Sequence, residues 1–356
     1  MSLIIAEAGV NHNGSEDIAF NLIDVAHAAG ADIVKFQTFK SSDLVTQNAK
    51  KAQYQSINTK NDASQLKMLK DLELPYSSFK KLANYCDDLR IEFLSTAFDR
   101  VSLDFLVNDI GMRRLKIPSG ELNNAPFILD HARTGMSIIL STGMANLNEI
   151  KMALGVIAFG YIGDERTPSI QSFEEAFNSI EGKNILKEKV HLLHCTSEYP
   201  APLEEVNLNA IQLLKKEFGL KIGYSDHTLG IDIALGAVAL GAEVIEKHFS
   251  LSRDSEGPDH RASLEPDELN LMISKIRQME IALGKEEKIR TPSEIKNLKI
   301  ARKSIVAEKT INPGDQFSKT NISIKRPGVG MQPISFWDLL SKKSSKKYKP
   351  GDLIDE

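Results

Sequence analysis

The sequence predicts a (β/α)₈ barrel followed by a small second domain, and two observations carry this prediction. A chain of 356 residues is long enough for one large α/β domain with an appendage. From residue 3 to about residue 283, one pattern repeats eight times: a short apolar run, a polar turn and a segment with helical spacing. Eight strand–helix units over this length are what a closed parallel barrel requires.

The strand-like runs are short and apolar, and most of them end in polar residues. They read LIIAE, DIVKFQT, IEFLSTA, RRLKIPS, MSIILST, VHLLHCT, KIGYSD and EVIEKHF. Helical signals lie between them: Ser15 can cap a helix, Glu16 and Asp17 suit its N-terminus, and Gly30 can end it. A doubly wound open sheet is the competing arrangement, but the chain lacks a dinucleotide-binding glycine fingerprint. The barrel is therefore favoured.

Charged and turn-forming residues indicate the domain boundaries. Residues 285–297 (KEEKIRTPSEIKN) are expected to link a barrel domain at 1–284 to a second domain at 298–356. In the second domain, RKSIVAEKTINPGDQF predicts two short strands around an Asn-Pro-Gly turn. Within the barrel, residues 160–188 predict a long polar excursion over the surface between the fifth and sixth units.

Composition and charge narrow the class of protein. The chain is 42% hydrophobic and 26% charged, which is typical of a soluble globular protein, and it has neither an apolar run of membrane-spanning length nor a signal-like N-terminus. Only two cysteines, Cys86 and Cys195, occur, so we expect no disulfide framework and a reducing cytoplasm.

The net charge of −4 is unevenly distributed along the chain. From Lys296 onward the charge balance is +7, and the rest of the chain carries −11. The basic region contains no RNA-binding motif, so we expect neither nucleic acid nor a membrane as a partner and interpret it as a solvated basic face. A role for this region in covering an anionic substrate stays open.

Polar side chains accumulate where the predicted strands end. Because side chains alternate along a strand, DIVKFQT directs Lys35 and Gln37 into the barrel. The C-terminal ends of the strands are where barrel enzymes build their active sites. The other polar residues that this alternation aligns or that end a strand are Glu7, Lys116, Ser141, His194, Thr196, Ser225, His227, Glu246 and His248.

The residue types at these ends indicate an anion site. Lys35 and Lys116 supply point charges, and the hydroxyl groups of Ser119, Ser141 and Ser225 supply neutral donors, a combination suited to phosphate.

The same ends indicate a metal site and groups for proton transfer. His227 and His248 end adjacent strands, and two imidazoles with open coordination positions suit Mn²⁺ or Mg²⁺ better than a closed structural zinc site. Glu7 and Glu121 offer carboxylates for sugar hydroxyls or for proton transfer.

Several motifs together resemble the sialic acid synthase family. They are IAEAGVNHNGS, VKFQTF, STAFD, KIPSGEL, ILSTGM, HCTSEYPAP, GYSDHTLG, EKHF and GPDHRASLEPDEL. The segment ARKSIVAEKTINPGDQFSKTNISIKRPGVGM resembles the SAF (antifreeze-like) domain that follows the barrel in this family. The resemblance runs from about residue 3 to the end of the chain.

The resemblance implies an enzyme that condenses phosphoenolpyruvate with an N-acylated mannosamine-type sugar and water. The products are a nine-carbon sialic acid, such as N-acetylneuraminate, and phosphate. It implies a divalent metal on His227 and His248, Mn²⁺ first and Mg²⁺ or Co²⁺ as alternatives. It also implies that the phosphate of phosphoenolpyruvate is bound by Lys35, Lys116, Ser119, Ser141 and Ser225.

The resemblance further assigns catalytic and sugar-binding residues. Glu121 is expected to handle the proton near the attacking water, with Glu7 as a second catalytic carboxylate. Arg326, in KRPG, matches an arginine that the SAF domain of one subunit places over the barrel of its partner, which implies a domain-swapped homodimer. The residues expected to contact the sugar from the barrel are Glu7, Gln37, Tyr199 and Asp259.

Two departures from the family pattern leave the acceptor sugar open. Ser197 stands in CTSEYP where some N-acetylneuraminate synthases have asparagine, and residues 160–188 are longer than in the shortest members. The acceptor is therefore either N-acetylmannosamine or 2,4-diacetamido-2,4,6-trideoxymannose, which leads to N,N'-diacetyllegionaminate. The role of His12, in NHNG, also stays open.

Two rival functions compete with the synthase hypothesis. A related phosphoenolpyruvate condensation would make an eight-carbon or aromatic-pathway sugar acid, but those barrels lack an SAF domain. A carbohydrate-binding scaffold or an ice-binding protein is the non-enzymatic rival. The charge balance of +7 argues against ice binding, and a degenerate scaffold should have lost some of the polar strand ends that this chain keeps.

Overall fold

The computed structural model describes residues 1–59, 64–163 and 165–356. These residues form two compact units, Met1–Gly284 and Lys285–Glu356. In the described part of the chain, no helix combines the length and the apolar character needed to cross a lipid bilayer.

The first unit is a closed barrel of eight parallel strands that follow one another around the barrel in chain order, with β1 pairing with β8. The prediction of a (β/α)₈ barrel is therefore confirmed. The strands are β1 (Leu3–Gly9), β2 (Ile33–Thr38), β3 (Glu92–Ala97), β4 (Arg114–Ile117), β5 (Ser137–Ser141), β6 (Val190–Cys195), β7 (Lys221–Asp226) and β8 (Val244–His248).

Helices connect the strands and cover the outside of the barrel. The longest insertion separates β2 from β3 and carries four helices in its described residues. A π-helical turn spans Phe105–Ile110, and short 3₁₀ turns span Ser119–Glu121, Leu203–Glu205 and His260–Ala262. The helices are α1 (Glu16–Ala28), α2 (Ser41–Leu44), α3 (Gln53–Thr59), α4 (Gln65–Leu72), α5 (Tyr76–Leu89), α6 (Arg100–Asp104), α7 (Ala125–Arg133), α8 (Leu147–Tyr161), α9 (Ile170–Asn178), α10 (Ile180–Lys189), α11 (Asn209–Phe218), α12 (Asp232–Ala239) and α13 (Pro266–Leu283).

Helix α1 shows how the sequence specifies these units. The Ser15 hydroxyl accepts a hydrogen bond from the backbone N–H of Ile18 and so caps the helix as predicted. The residues of α1 that the fold buries recur with helical spacing, so one face of the helix packs on the barrel. They are Ala19, Leu22, Ile23 and Ala26.

The strand register determines which polar residues become neighbours. On β1, Glu7 lies beside His248 of β8 on one side and Lys35 of β2 on the other. On β7, Ser225 lies beside Glu246 of β8. Because the side chains of paired residues in parallel strands point to the same face, the register itself brings these groups together inside the barrel.

The prediction of a polar surface excursion at residues 160–188 is wrong. Helix α8 continues to Tyr161, and α9 and α10 follow it with Phe173, Ala176 and Leu186 buried. The Phe173 ring packs edge-on against Phe159 of α8, with 5.2 Å between the ring centroids. Phe173 and Ala176 share one face of α9, and Leu186 is buried on α10, so this segment packs although its overall composition is polar.

The second unit is built around a small hydrophobic core. Strand β9 (Ser304–Ala307) pairs antiparallel with β10 (Ile322–Lys325), and α14 (Pro292–Ala301) and α15 (Phe336–Leu339) are its helices, with a 3₁₀ turn at Pro333–Ser335. The core consists of Ile305, Ala307, Ile311, Phe317, Ile322, Leu339, Tyr348 and Ile354.

Two sequence predictions for this unit need correction. The Asn-Pro-Gly segment does turn the chain, with Gly314 at φ +89°, but β9 pairs with the later Ile322–Lys325 rather than across this turn. A turn signal is local, whereas strand pairing is decided by packing over the whole unit. In the expected linker at 285–297, α14 begins at Pro292, where Thr291 and Glu294 cap each other's backbone N–H groups.

Candidate active site

The C-terminal ends of the barrel strands enclose a cavity of about 470 Å³. Every residue of the first unit to which the sequence analysis gave a catalytic, metal-binding or substrate-binding role lines this cavity, whereas His194 and Thr196, two of the polar strand-end residues, do not. Arg326, the remaining predicted residue, belongs to the second unit, where its Nε donates a hydrogen bond to the Ala301 carbonyl. The predicted residues that line the cavity are Glu7, Lys35, Gln37, Lys116, Ser119, Glu121, Ser141, Tyr199, Ser225, His227, His248 and Asp259.

Four buried charges, Glu7, Lys35, Lys116 and Glu246, form the floor of the cavity. The Lys35 ammonium lies 2.7 Å from a Glu7 oxygen and 3.4 Å from a Glu246 oxygen, and it donates to the Thr96 hydroxyl at 3.2 Å. The Lys116 ammonium lies 3.6 Å from the other Glu246 oxygen. Two positive and two negative charges therefore balance where none could be buried alone.

The environment shifts the pKa values of these groups in different directions. Burial raises the pKa of Glu7 and is only partly opposed by Lys35. Burial also raises the pKa of Glu246, but Lys116 and Lys35 outweigh it and bring that pKa down to about 2. Burial and the repulsion from Lys35 lower the pKa of Lys116, whereas Glu246 and Glu7 overcome burial and raise that of Lys35. Glu246 is therefore the most firmly ionised carboxylate of the floor.

Hydroxyl groups extend the floor towards β5 and β7. Lys116 donates to the Ser141 hydroxyl at 2.8 Å, and the Ser225 hydroxyl donates to Glu246 at 2.8 Å. The Ser119 hydroxyl accepts a hydrogen bond from the Gly143 backbone N–H at 3.0 Å. Two ammonium groups with three adjacent hydroxyls form a cradle for a tetrahedral anion.

Residue 143 must be glycine because the side chains of the cradle lie too close to its backbone to leave room for a Cβ atom. A Cβ atom at residue 143 would overlap the hydroxyls of Ser197 and Ser119 and touch the sulfur of Cys195. Cys195 lies 3.1 Å from Ser119 and lines the cavity, and burial raises the pKa of its thiol. The sequence analysis did not include Cys195 in the site, because a lone cysteine without a base gives no signal of function.

The two predicted metal ligands face each other at one side of the cavity, with 5.6 Å between their ring centroids. The Nδ1 of His227 is 2.6 Å from the Thr196 carbonyl, which assigns the proton to Nδ1 and leaves a lone pair on Nε2. Burial lowers the pKa of His227 to about 4 and, together with His227, holds that of His248 well below its usual value. The Nδ1 of His248 is buried without a hydrogen-bond partner.

These histidines fit the donor set of an open metal site. Both rings are neutral, which is the form that binds a metal ion, and neither lone pair is fully used by the protein. Among the described residues, no cluster of three or more His, Cys, Asp or Glu side chains has the arrangement of a metal site. Two protein ligands would leave the remaining coordination positions to water and substrate.

Aromatic and carboxylate groups rise from the floor towards the mouth of the cavity. The Tyr199 ring lies 4.1 Å from the His227 ring and 5.0 Å from Tyr54 of α3, centroid to centroid. Gln37 donates to Glu7 at 3.2 Å, which orients one Glu7 oxygen. Burial, assisted by the charge of Glu7, raises the pKa of Asp259 to about 7.

Glu121 occupies the edge of the cavity, on the 3₁₀ turn that carries Ser119. One of its oxygens accepts a hydrogen bond from the Asn124 side chain at 2.7 Å, so the carboxylate is held in place. The carboxylate is less buried than the floor, and water can reach it.

Along β6 the alternation directs Cys195, rather than the polar His194, into the cavity, and along β3 it directs Thr96 there, which the sequence analysis left out. His194 pairs in register with Tyr224, and its Nε2 contacts the Val206 carbonyl at 2.7 Å, away from the cavity. Thr96 of β3 lines the cavity and bonds Lys35, and the alternation along STA could have identified it. Tyr54 lies on helix α3, so the alternation of side chains along strands could not predict that it lines the cavity.

A buried ion pair lies behind the two histidines. Lys247 and Asp226 are fully buried, and 2.8 Å separates the ammonium from the carboxylate. Lys247 also donates to the Thr228 carbonyl, and Asp226 accepts hydrogen bonds from the Thr228 backbone and hydroxyl. The pair therefore joins the ends of β7 and β8 one residue before each histidine.

An anion cradle beside two neutral histidines, at the C-terminal face of a (β/α)₈ barrel, defines the site of a barrel enzyme. The sequence profile of the NeuB family matches residues 22–288, three quarters of the chain, and the chain belongs to this family. The family resemblance predicted from the motifs is thereby confirmed.

Proteins with named activities resemble the chain over its whole length. It is 47% identical to the N,N'-diacetyllegionaminic acid synthase of Campylobacter jejuni, covering 100% of this chain and 99% of that protein. It is 41% identical to the N,N'-diacetyllegionaminic acid synthase of Legionella pneumophila, covering 99% and 92%. The crystal structure of N-acetylneuraminic acid synthetase from Leptospira borgpetersenii, in complex with citrate, matches with a TM-score of 0.67 at 33% identity, covering 83% and 90%.

Proposed function

We propose that the chain condenses phosphoenolpyruvate with 2,4-diacetamido-2,4,6-trideoxymannose and water, giving N,N'-diacetyllegionaminic acid and phosphate. The observation that supports the reaction is the anion cradle next to two neutral, facing imidazoles. The choice of sugar rests on the similarity to two relatives named as synthases of that product. N-acetylmannosamine, leading to N-acetylneuraminate, is the second candidate and is supported by the similarity to the Leptospira enzyme.

Lys35, Lys116 and the hydroxyls of Ser119, Ser141 and Ser225 bind the phosphate of phosphoenolpyruvate in this proposal. Glu246 holds both lysines in the absence of substrate and keeps them charged and oriented. The arriving phosphate then competes with a carboxylate that is already in place. The cradle is thus preorganised and needs little rearrangement to bind the anion.

His227 and His248 hold a divalent metal in this proposal, Mn²⁺ first and Mg²⁺ or Co²⁺ as alternatives; the family is one of metal-dependent synthases. A cation bound there supplies Lewis-acid polarisation of the sugar's aldehyde carbonyl. The Thr196 carbonyl fixes the ring of His227 and its tautomer.

Glu7, Gln37, Tyr199 and Asp259 orient the open-chain sugar so that its aldehyde carbon meets C3 of phosphoenolpyruvate. A carbon–carbon bond forms there while the π bond of the aldehyde breaks and its oxygen takes up a proton to become a hydroxyl. Water adds at the electron-poor C2, and the C2–O bond to phosphate then breaks, which leaves a keto group at C2 and releases phosphate. Glu121, held by Asn124 at the edge of the cavity, accepts the proton of that water.

We further propose that residues 298–356 form an SAF (antifreeze-like) domain that follows a barrel domain at residues 1–284 along the chain. We also propose that the active unit is a domain-swapped homodimer. Arg326 of one subunit would then approach the anionic substrates of the other. The balance of +7 from Lys296 onward supports this arrangement, because a basic surface suits an anionic site. A cytoplasmic location suits the supply of phosphoenolpyruvate.

Phosphate release tests the proposed reaction. Purified protein with Mn²⁺ and phosphoenolpyruvate should release phosphate only when the acceptor sugar is added, and a chelator should stop the release. In a competition, the diacetamido sugar should be consumed before N-acetylmannosamine. His248→Ala removes a histidine that lines the cavity and should abolish the release. The matched control is His194→Ala, which removes a histidine that lies outside the cavity. Phosphate release without sugar, or none with either sugar, would refute the proposal.

A further inference from the structure

One side of the cavity is apolar and comes mainly from a single stretch of chain. The cradle and the histidines come from the ends of β2, β4, β5, β7 and β8, whereas four side chains from the insertion after β2 and one that follows β3 line a further, apolar part of the cavity. We call this surface the apolar wall. It consists of Leu44, Val45, Met68, Leu69 and Phe98.

The apolar wall packs on a small core of its own. Val10, Phe39, Met68 and Leu72 form a buried cluster separate from the barrel core, and Leu44, Leu69 and Phe98 pack against it. The insertion is tied down at its ends, where Glu73 accepts hydrogen bonds from Lys40 and Ser41. The half-buried Leu44 and Leu69 therefore keep part of their apolar surface towards the cavity.

The middle of the insertion is tied to the loop that carries Asp259. Asn58 of α3 donates to the Pro258 carbonyl at 2.6 Å, and this contact is buried. The nearby Gln55 side-chain oxygen accepts the Ala52 backbone N–H at 2.9 Å, so that oxygen is already used. Tyr54, Gln55 and Gln65 of the same insertion also line the cavity, but the five wall side chains themselves offer a hydroxyl group no hydrogen-bond partner.

The position of the wall determines which part of the acceptor it meets. In the closed order of eight strands, β2 and β3 stand opposite β6 and β7, so the wall lies across the cavity from the histidine that ends β7. The aldehyde must approach the histidines and the cradle for the carbon–carbon bond to form. The far end of the sugar, with C6, is then directed towards the wall.

We infer that the apolar wall selects acceptors with a methyl group at C6 over acceptors with a hydroxymethyl group at C6. This inference rests on the proposed function and adds the residues that choose between sugars. A methyl group against the wall leaves water and buries apolar surface, whereas a hydroxyl group there loses its hydrogen bonds to water without replacement. Apolar pockets of this kind discriminate between such groups by about 10- to 100-fold.

A pair of acceptors that differ only at C6 tests the inference. The two sugars are 2,4-diacetamido-2,4,6-trideoxymannose and 2,4-diacetamido-2,4-dideoxymannose, and the readout is the ratio of their kcat/KM values. We expect the unmodified protein to favour the 6-deoxy sugar by about 10- to 100-fold. Leu69→Asn and Leu44→Asn should each reduce this ratio to less than about 3-fold, through a higher KM for the 6-deoxy sugar with kcat retained.

Three controls separate selectivity from damage to the fold. Leu69→Met keeps an apolar group and should keep the ratio. Leu271→Asn makes the same exchange on the exposed surface of α13, away from the cavity, and should change nothing. Thermal unfolding shows which variants are folded; if both asparagine variants unfold, the ratio in the unmodified protein decides alone.

The outcomes distinguish this inference from the proposed function. A ratio near one in the unmodified protein, or an unchanged ratio in folded Leu69→Asn and Leu44→Asn, overturns the inference while the synthase activity stands. Absence of phosphate release with every acceptor overturns the proposed function instead.

Discussion

At the scale of single residues, the cavity contains carboxyl groups of the same kind in very different states. Glu246 lies between two ammonium groups and has a pKa of about 2, whereas Asp259 has no comparable cation and has a pKa of about 7. The difference follows from the neighbours, because both groups are buried. Glu246 thus acts as a permanent charge, and Asp259 changes its charge near neutral pH.

The first prediction concerns the stability of Asp259→Asn. The folded-state pKa of about 7 exceeds the ordinary value of 3.8, so Asp259 contributes stability that is complete below about 3.8 and lost as pH rises through about 7. Asparagine does not ionise and avoids this loss. The melting temperature of the variant relative to the unmodified protein should rise between about pH 5 and about pH 8, with each pKa unit worth about 1.4 kcal/mol.

Thermal unfolding followed by circular dichroism at both pH values measures this effect. Asp254→Asn, a change at another acidic residue of the same loop that does not line the cavity, is the matched control for the loss of a carboxylate from this loop. A difference in melting temperature that does not depend on pH would contradict the assignment.

At the scale of elements, β7 and β8 are joined by more than backbone hydrogen bonds. The ion pair of Asp226 and Lys247 lies on the outer face of the barrel wall, directly before His227 and His248. Burial opposes the charge on Lys247 and lowers its pKa, although Asp226 counteracts this. The pair therefore holds the ends of β7 and β8 together, and each of its two charges is stabilised in the buried site by the other.

The second prediction is a strong coupling between these two residues. Lys247→Met should reduce the free energy of unfolding by about 3–5 kcal/mol, because it leaves Asp226 buried without a counter-charge. Adding Asp226→Asn should recover much of that loss. Urea unfolding of both single variants and the double variant measures the coupling, and additive losses would show that the pair is not coupled.

The elements also show where sequence reasoning succeeds and where it fails. The alternation along β2 placed Lys35 and Gln37 in the cavity, since a strand has only two faces. The same rule holds along β6, but it directs Cys195 rather than His194 into the cavity, because Cys195 pairs with Ser225 and His194 pairs with Tyr224 on the outside. Tyr54 and Leu69 were not predictable, since they reach the cavity from helices whose position depends on packing rather than on strand order.

At the scale of the whole molecule, the closed barrel was predictable from eight repeated units, and the second unit only in part. Its strand β9 was located correctly in the sequence, but its partner β10 was not, since pairing between distant segments leaves no periodic signal. Helix α14 was missed although Thr291, Pro292 and Glu294 together form a capping signature. The linker was predicted because residues 285–297 are highly charged, although the capping residues within them indicate a helix.

The third prediction tests whether Arg326 acts across subunits. Arg326→Ala should weaken turnover while the barrel stays folded. When it is mixed with an inactive His248→Ala protein and the subunits are allowed to exchange, each mixed dimer would contain one intact site. Activity should then recover to about one quarter of that of the unmodified protein at equal mixing.

Size measurement of the mixture and steady-state turnover provide the data for this experiment. Mixing His248→Ala with His227→Ala is the control, because both changes lie in the same barrel and no dimer of the two contains an intact site. An absence of recovery with dimers present would place Arg326 over the barrel of its own chain, and normal turnover in Arg326→Ala would remove it from the site.

The apolar wall and the floor differ in how many neighbours a substitution disturbs. Three of the four floor residues, Lys35, Lys116 and Glu246, are each bonded to groups on two or more strands, so an exchange at Lys35 or Glu246 disrupts several partners at once. The wall residues from the insertion after β2 meet mainly their own small cluster. Acceptor range can therefore drift by single substitutions in one loop, without an intermediate that has lost the ability to form the carbon–carbon bond.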